Sequence, residues 1–86
     1  MDIYYLEVLN RRLIIHTKSG PVACLRSLQY MEEQLPDSFF RCHSAFLVNL
    51  QSVESVHGSD IVVAGNTIPI SKHRRKEFIR ALTQFI

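Results

Sequence analysis

Short apolar runs separated by turn residues mark the first 24 positions. Residues 3–9 are rich in aromatic and β-branched side chains. Leu13-Ile14-Ile15 opens a second run that ends at Thr17, and residues 21–24 form a third. Between them stand Asn10-Arg11-Arg12 and Lys18-Ser19-Gly20, which favour turns. Extended segments joined this tightly predict an antiparallel meander. From Leu25 the period becomes helical: Leu25, Leu28, Met31 or Glu32, and Leu35 recur at helix spacing, and Glu32, Glu33 and Gln34 are good helix formers. Pro36 turns Leu35 away from helical geometry, so a helix is expected over 25–35.

Extended structure resumes over 39–42 and 46–50. His57-Gly58-Ser59-Asp60 reads as a turn, and 61–64 with 67–70 as a hairpin around Gly65-Asn66. The tail, 72–86, is amphipathic, with Phe78, Leu82 and Phe85 on one helical face and Ile79 and Ile86 beside it. The order is mainly β with two helices, without the strand–helix alternation of a doubly wound parallel sheet. No repeat, low-complexity stretch or linker interrupts the 86 residues, so one domain spanning 1–86 is expected.

One stretch departs from simple patterning. Phe39-Phe40-Arg41-Cys42-His43-Ser44-Ala45-Phe46 places a cation, a histidine and a serine between apolar runs. Burying Arg41 or His43 without partners is costly, so the middle of this segment must find hydrogen bonds or reach a surface. The expectation is that Arg41 and His43 organise the fold, while the Ser44 hydroxyl is small enough to reach a ligand.

An apolar fraction of 47% is that of a globular protein. No apolar run approaches the ~20 residues of a membrane span. The start, Met-Asp-Ile-Tyr-Tyr, lacks the basic region and apolar stretch of a signal peptide, and a cytoplasmic location is expected. Cys24 and Cys42 do not make a disulfide framework, although an oxidative link between them is conceivable.

Ten Lys and Arg against eight Asp and Glu leave a net charge of +2, too small to identify a polyanion partner. The distribution says more. Arg11 and Arg12 are adjacent, and Lys72, Arg74, Arg75, Lys76 and Arg80 crowd the end with Glu77 the single acid among them. Cations in a first helical turn oppose the macrodipole, which argues for a role beyond helix stability. Ser71-Lys72-His73-Arg74-Arg75-Lys76 therefore reads as a cationic loop and helix start aimed at phosphates and base edges, with Ser71 as N-cap. Arg11-Arg12 gains weight as a second arm of the same surface.

The residue pattern argues against catalysis. The four histidines show no metal-ligand spacing, and no paired carboxylates propose general acid and base. Cys42 and His43 are neighbours whose side chains on a regular strand would point to opposite faces. The glycines form no phosphate-cradling loop. Neither a cofactor nor a metal is expected. A rival reading takes the tail helix as a protein-docking element, but leaves the concentration of basic residues before it unexplained. Single-strand RNA binding would need exposed aromatics, which here fall at core-like positions.

Several segments together resemble the LytTR family, the DNA-binding output module of bacterial two-component response regulators. They are Ile3-Tyr4-Tyr5-Leu6-Glu7, the hairpin ending Ile15-His16-Thr17, the Ser27-Leu28 and Leu35-Pro36 pairs, Phe40-Arg41-Cys42-His43-Ser44-Ala45-Phe46-Leu47-Val48-Asn49, and Ile68-Pro69-Ile70-Ser71 with the basic run after it. The resemblance implies an elongated fold of three small antiparallel sheets with a short mid-chain helix and a C-terminal helix. It implies loops entering successive major grooves of double-stranded DNA in transcriptional regulation. By position, Arg11, Ser44 and His73 would contact bases, and Arg12, Ser71, Lys72, Arg74 and Arg75 would hold phosphates or support the contacts. Two copies on paired direct repeats are expected. A receiver domain would accompany the chain if it is a fragment, and a small free-standing regulator is the other possibility. Ser44 departs from the Arg, Lys or Asn usual in the family, Ala45 from its frequent Ser, and His73 stands where Arg or another polar residue is common.

Overall fold

The computed structural model describes residues 2–85; Met1 and Ile86, the latter expected on the tail helix, lie outside the described residues. Ten elements follow in order: β1 (Ile3–Leu9), β2 (Arg12–Thr17), β3 (Gly20–Cys24), α1 (Leu28–Gln34), β4 (Phe39–His43), β5 (Phe46–Asn49), β6 (Val53–His57), β7 (Asp60–Val63), β8 (Asn66–Pro69) and α2 (Arg75–Thr83). Single 3-10 turns occupy Leu50–Ser52 and Lys72–Arg74.

Two sheets form where three were expected. One has five strands in the order β3-β2-β1-β5-β4, and the other is the meander β6-β7-β8. The count falls because β1 pairs with β5 as well as β2, with Tyr5 opposite Val48 and Glu7 opposite Phe46. That pairing fuses the N-terminal meander with the β4–β5 hairpin. The molecule is only mildly elongated, 31 × 25 × 22 Å.

Alternation along the central strands sorts the core onto two faces. Leu6, Leu47 and Phe39 join Leu13 and Leu28 beneath α1. Tyr5, Val48 and Cys42 face the other way and pack with Ile61, Val63 and Ile68 of the second sheet, Ile70 just after it, and Phe78 of α2. Burial on both faces explains the continuous apolar runs in β1 and β5. Asn49, also buried, is satisfied: its Nδ2 donates to the Ile3 carbonyl at 2.9 Å, and its Oδ1 accepts the Gln51 N–H at 3.1 Å.

Helix α1 starts three residues later than its apolar spacing predicts, because the Ser27 hydroxyl accepts the Tyr30 N–H and caps it. Leu25 stays outside, fully exposed. The last hairpin turns on Ala64-Gly65 rather than Gly65-Asn66, since positive φ falls on Ala64 (51°) and Gly65 (78°) while Asn66 pairs with Val63. Strand β6, absent from the sequence reading, closes the second sheet. Helix α2 spends its apolar face on the core: Phe78 is fully buried, and Ile79, Ala81 and Leu82 pack against the same cluster. Of the expected face only Phe85, just past the helix, stays exposed among the described residues, which leaves little surface for a docking role.

The two cysteines are free. They sit on β3 and β4, the opposite edges of the five-stranded sheet. Four strand spacings, roughly 19 Å, separate those edges. A disulfide spans at most about 7 Å between Cα atoms, so the conceivable oxidative link is excluded in the folded chain. Burial pushes the Cys42 thiol up to about 12, only partly offset by a backbone hydrogen bond and by the Arg74 and Arg41 guanidinium groups. The thiolate is the reactive form. Cys42 is therefore expected to resist thiol reagents at pH 8 in the native state and to react when denatured, as mass spectrometry of alkylated protein would show. Above pH 9 the unfolded chain ionises this thiol while the folded chain keeps the proton. Cys42→Ala should therefore lose less stability than the parent between pH 9 and 12 in denaturant titrations.

Candidate nucleic-acid interface

Three short segments carry the residues expected to touch DNA. The first is the β1–β2 turn, Asn10-Arg11, closed by the pairing of Leu9 with Arg12. Both turn residues have left-handed backbone, with φ of 51° and 66°. Positive φ at both central positions is the signature of a type I′ turn, whose twist matches a hairpin and whose second position favours glycine. Asparagine tolerates this conformation, whereas arginine adopts it at a cost of about 1–2 kcal/mol. The sequence thus holds an exposed cation at the hairpin tip in spite of local backbone preference.

The second is Ser44-Ala45, between β4 and β5. Arg41 reaches around it. Its Nε donates to the His43 carbonyl at 3.1 Å, its Nη2 to the Ser44 carbonyl at 2.7 Å, and its Nη1 to Glu32 Oε1 of α1 at 2.9 Å. His43 Nδ1 accepts the Ala45 N–H at 3.1 Å, and the Ala45 carbonyl accepts the Val8 N–H at 2.9 Å. Arg41 and His43 thus organise the turn, while Ser44 remains exposed at its tip.

A bulge between Phe40 and His43 breaks the regular alternation in β4. Cys42 is buried, and the next ring, His43, stands edge-on to Phe46, which packs against the same cluster. The expected opposite-face placement of Cys42 and His43 therefore does not hold. A nucleophile pair is excluded by other contacts: the thiol donates toward the Pro69 carbonyl at 3.6 Å, and His43 Nδ1 is occupied by Ala45.

The third segment runs from Ser71 to Lys76. The Ser71 N–H donates to the Cys42 carbonyl at 2.8 Å, and the Arg74 N–H returns to the Ser71 carbonyl at 2.9 Å. The Ser71 side chain caps nothing. The intervening 3-10 turn moves the start of α2 to Arg75, with Arg74 at the N-cap position and no side-chain cap. Arg74 Nη1 donates to the Arg41 carbonyl at 3.1 Å, and its enclosed Nε meets no acceptor. Arg75 Nε donates to the Gly58 carbonyl at 2.7 Å, tying this segment to the β6–β7 turn. Lys72, His73, Arg75 and Lys76 are exposed, whereas Arg74 and Ser71 are half-buried.

Sheet topology gathers these segments. Because β5 runs antiparallel to β1 with Glu7 opposite Phe46, the β1–β2 and β4–β5 turns emerge at the same end of the sheet. The two hairpins lie side by side, their centres about 10 Å apart by strand spacing. The 71–74 segment is fastened to the outer edge of β4, one residue before His43. Arg11, Ser44 and His73 thus come to one end of the sheet in that order across it, and Arg12 flanks the first turn. The main acids of the mid-chain, Glu32, Glu33 and Asp37, lie on α1 and just after it, and of these only Glu32 forms an ion pair among the described residues. The long-range ties of Arg74 and Arg75, which span 33 and 17 residues, have no local sequence signal. Among the described residues no helix is long and apolar enough to cross a membrane.

Comparison with known proteins places this geometry. Residues 1–83 match the family model of the LytTr DNA-binding domain. Accessory gene regulator protein A of Staphylococcus aureus (strain N315) is 34% identical over 64 residues, 72% of this chain and 26% of that protein. The Staphylococcus epidermidis protein of the same name is 31% identical over the same length and coverage. The chain spans about a quarter of the length of these relatives. A solved LytTr DNA-binding domain from Bacillus cereus superposes with a TM-score of 0.82 at 27% identity, covering 94% of this chain and 81% of that one. Family match, relatives and fold agree, and the family is one of DNA-binding domains rather than enzymes: this chain belongs to the LytTr DNA-binding domain family.

Proposed function

We propose that this chain is the sequence-specific double-stranded DNA-binding domain of a bacterial transcriptional regulator, acting in the cytoplasm. Its turns enter successive major grooves, and a second copy occupies an adjacent direct repeat. In a longer regulator, a receiver domain would supply the signal. The observation that supports this reading best is the gathering of three exposed, polar or cationic turns at one end of a single sheet. Arg11, Ser44 and His73 read base edges. Arg has the donor fork for guanine O6 and N7, whereas Ser44 and His73 make one contact each. Lys72, Arg75, Arg12 and the Ser71 hydroxyl hold the backbone, Lys and Arg supplying the charge that releases counterions.

Selection from a random duplex pool tests the function. Bound sequences should converge on a repeated motif, and affinity should fall steeply with salt; equal binding of all sequences would refute specific recognition. On the selected site, Arg11→Ala and His73→Ala should each relax preference at one base position by about 1–3 kcal/mol. Lys72→Ala should weaken every duplex alike and lower the salt slope by about one. Arg11→Gly separates stability from binding. It relieves the left-handed arginine and should raise unfolding free energy by about 0.5–1 kcal/mol in denaturant titrations, while losing the Arg11 base preference.

A further inference from the structure

Arg41 and Arg74 are the two cations at this end of the molecule that turn inward, each half-buried. All three guanidinium nitrogens of Arg41 are engaged with protein: two on the carbonyls of His43 and Ser44, one on Glu32. Arg74 aims Nη1 at the Arg41 carbonyl and encloses its Nε, while its neighbours Lys72, His73 and Arg75 face solvent. A phosphate-holding arginine needs its planar fork free for two oxygens, and neither residue offers it.

Their acceptors are ordered along the chain. The Arg41 carbonyl takes Arg74, the Cys42 carbonyl takes the Ser71 N–H, and the His43 and Ser44 carbonyls take Arg41. Four consecutive carbonyls, three on the bulged edge strand and one in the turn after it, thus carry both the Ser44 turn and the His73 loop. The bulge frees this stretch from regular pairing, because Arg41 and Cys42 together stand opposite the single residue Leu47.

We infer that Arg41 and Arg74 are positioning residues for base recognition, clamping the Ser44 turn and the His73 loop to one stretch of β4 so that the two contacts keep a fixed separation. Glu32 extends the clamp to α1 and sets the rotamer of Arg41. This inference rests on the proposed base contacts of Ser44 and His73. It departs from a phosphate-holding role for Arg74. A lysine keeps the charge at either position, but at 41 it loses the fork that spans three acceptors and at 74 the guanidinium Nη1 that reaches the Arg41 carbonyl.

The test uses the full chain and the duplex that it selects from a random pool, with a scrambled duplex as reference, over a salt series. Arg74→Lys and Arg74→Gln should each lower the ratio of selected to scrambled affinity about tenfold or more, with the slope of log affinity against log salt held at the parent value. The loss of preference should map to the base positions assigned to Ser44 and His73, with that of Arg11 retained. A slope reduced by about 0.9 for Arg74→Gln, with both duplexes weakened together, would make Arg74 a phosphate contact and overturn the inference. An unchanged ratio would overturn it as well. Glu32→Gln probes the α1 end of the clamp: it should broaden preference at the Ser44 position alone, and unchanged preference there would remove Glu32 from the clamp. Failure of the parent chain to select any sequence would instead defeat the base-contact reading itself.

Discussion

The antiparallel pairing of β1 with β5 is the constraint on which the rest of this structure depends. It joins segments about forty residues apart and converts two local hairpin systems into one sheet. Tyr5 and Leu6, facing Val48 and Leu47, then give the sheet an apolar residue on each side, so α1 and the β6–β8 sheet with α2 can each cover one face. The same pairing sets the direction of the turns. Had β5 run the other way, the arginine hairpin and the serine hairpin would leave the sheet at opposite ends. Core formation and surface assembly are therefore one event in this fold.

Much of this was legible in the sequence where the signal is local. The first three strands, the Pro36 stop and the buried face of α2 follow from period and turn chemistry, and the structure keeps them except at Phe85, which lies past the helix and is exposed. Boundaries moved where a side chain competed locally, as when the Ser27 cap delayed α1 to Leu28, past Leu25. Strand β6 stayed hidden because Val53-Glu54-Ser55-Val56-His57 is short, half polar and bulged, and it becomes extended only because β7 pairs with it. The number of sheets could not be read, since it depends on one pairing between distant strands. The candidate contacts Arg11, Ser44 and His73 were nameable from their places in a family pattern. The inward turn of Arg74 was not, because its acceptor lies 33 residues away.

The basic residues at this end divide by what they touch, and composition cannot make that division. Arg11 is held at a strained turn tip with its side chain free, and Lys72 and Lys76 stand in solvent. Arg41 and Arg74 are half-buried against backbone oxygens, with Glu32 balancing only the first. Arg41 has all three guanidinium nitrogens matched, whereas Arg74 keeps its enclosed Nε without an acceptor.

A turn presents fewer donors than a recognition helix, and this limits how such a surface can discriminate. Serine and histidine each supply one hydrogen bond where Arg or Asn would supply two, so neither proposed contact rejects a wrong base strongly alone. Discrimination must then come from requiring the contacts at once, and that requirement holds only while their spacing is stiff. Loops on a sheet are ordinarily the least rigid part of a fold. Here the stiffness comes from β4, whose carbonyls are matched one after another by arginine and backbone donors from both sides. On the proposed contacts, the weaker the hydrogen bonds of Ser44 and His73, the more sequence preference would depend on that edge strand and the less on the two residues themselves.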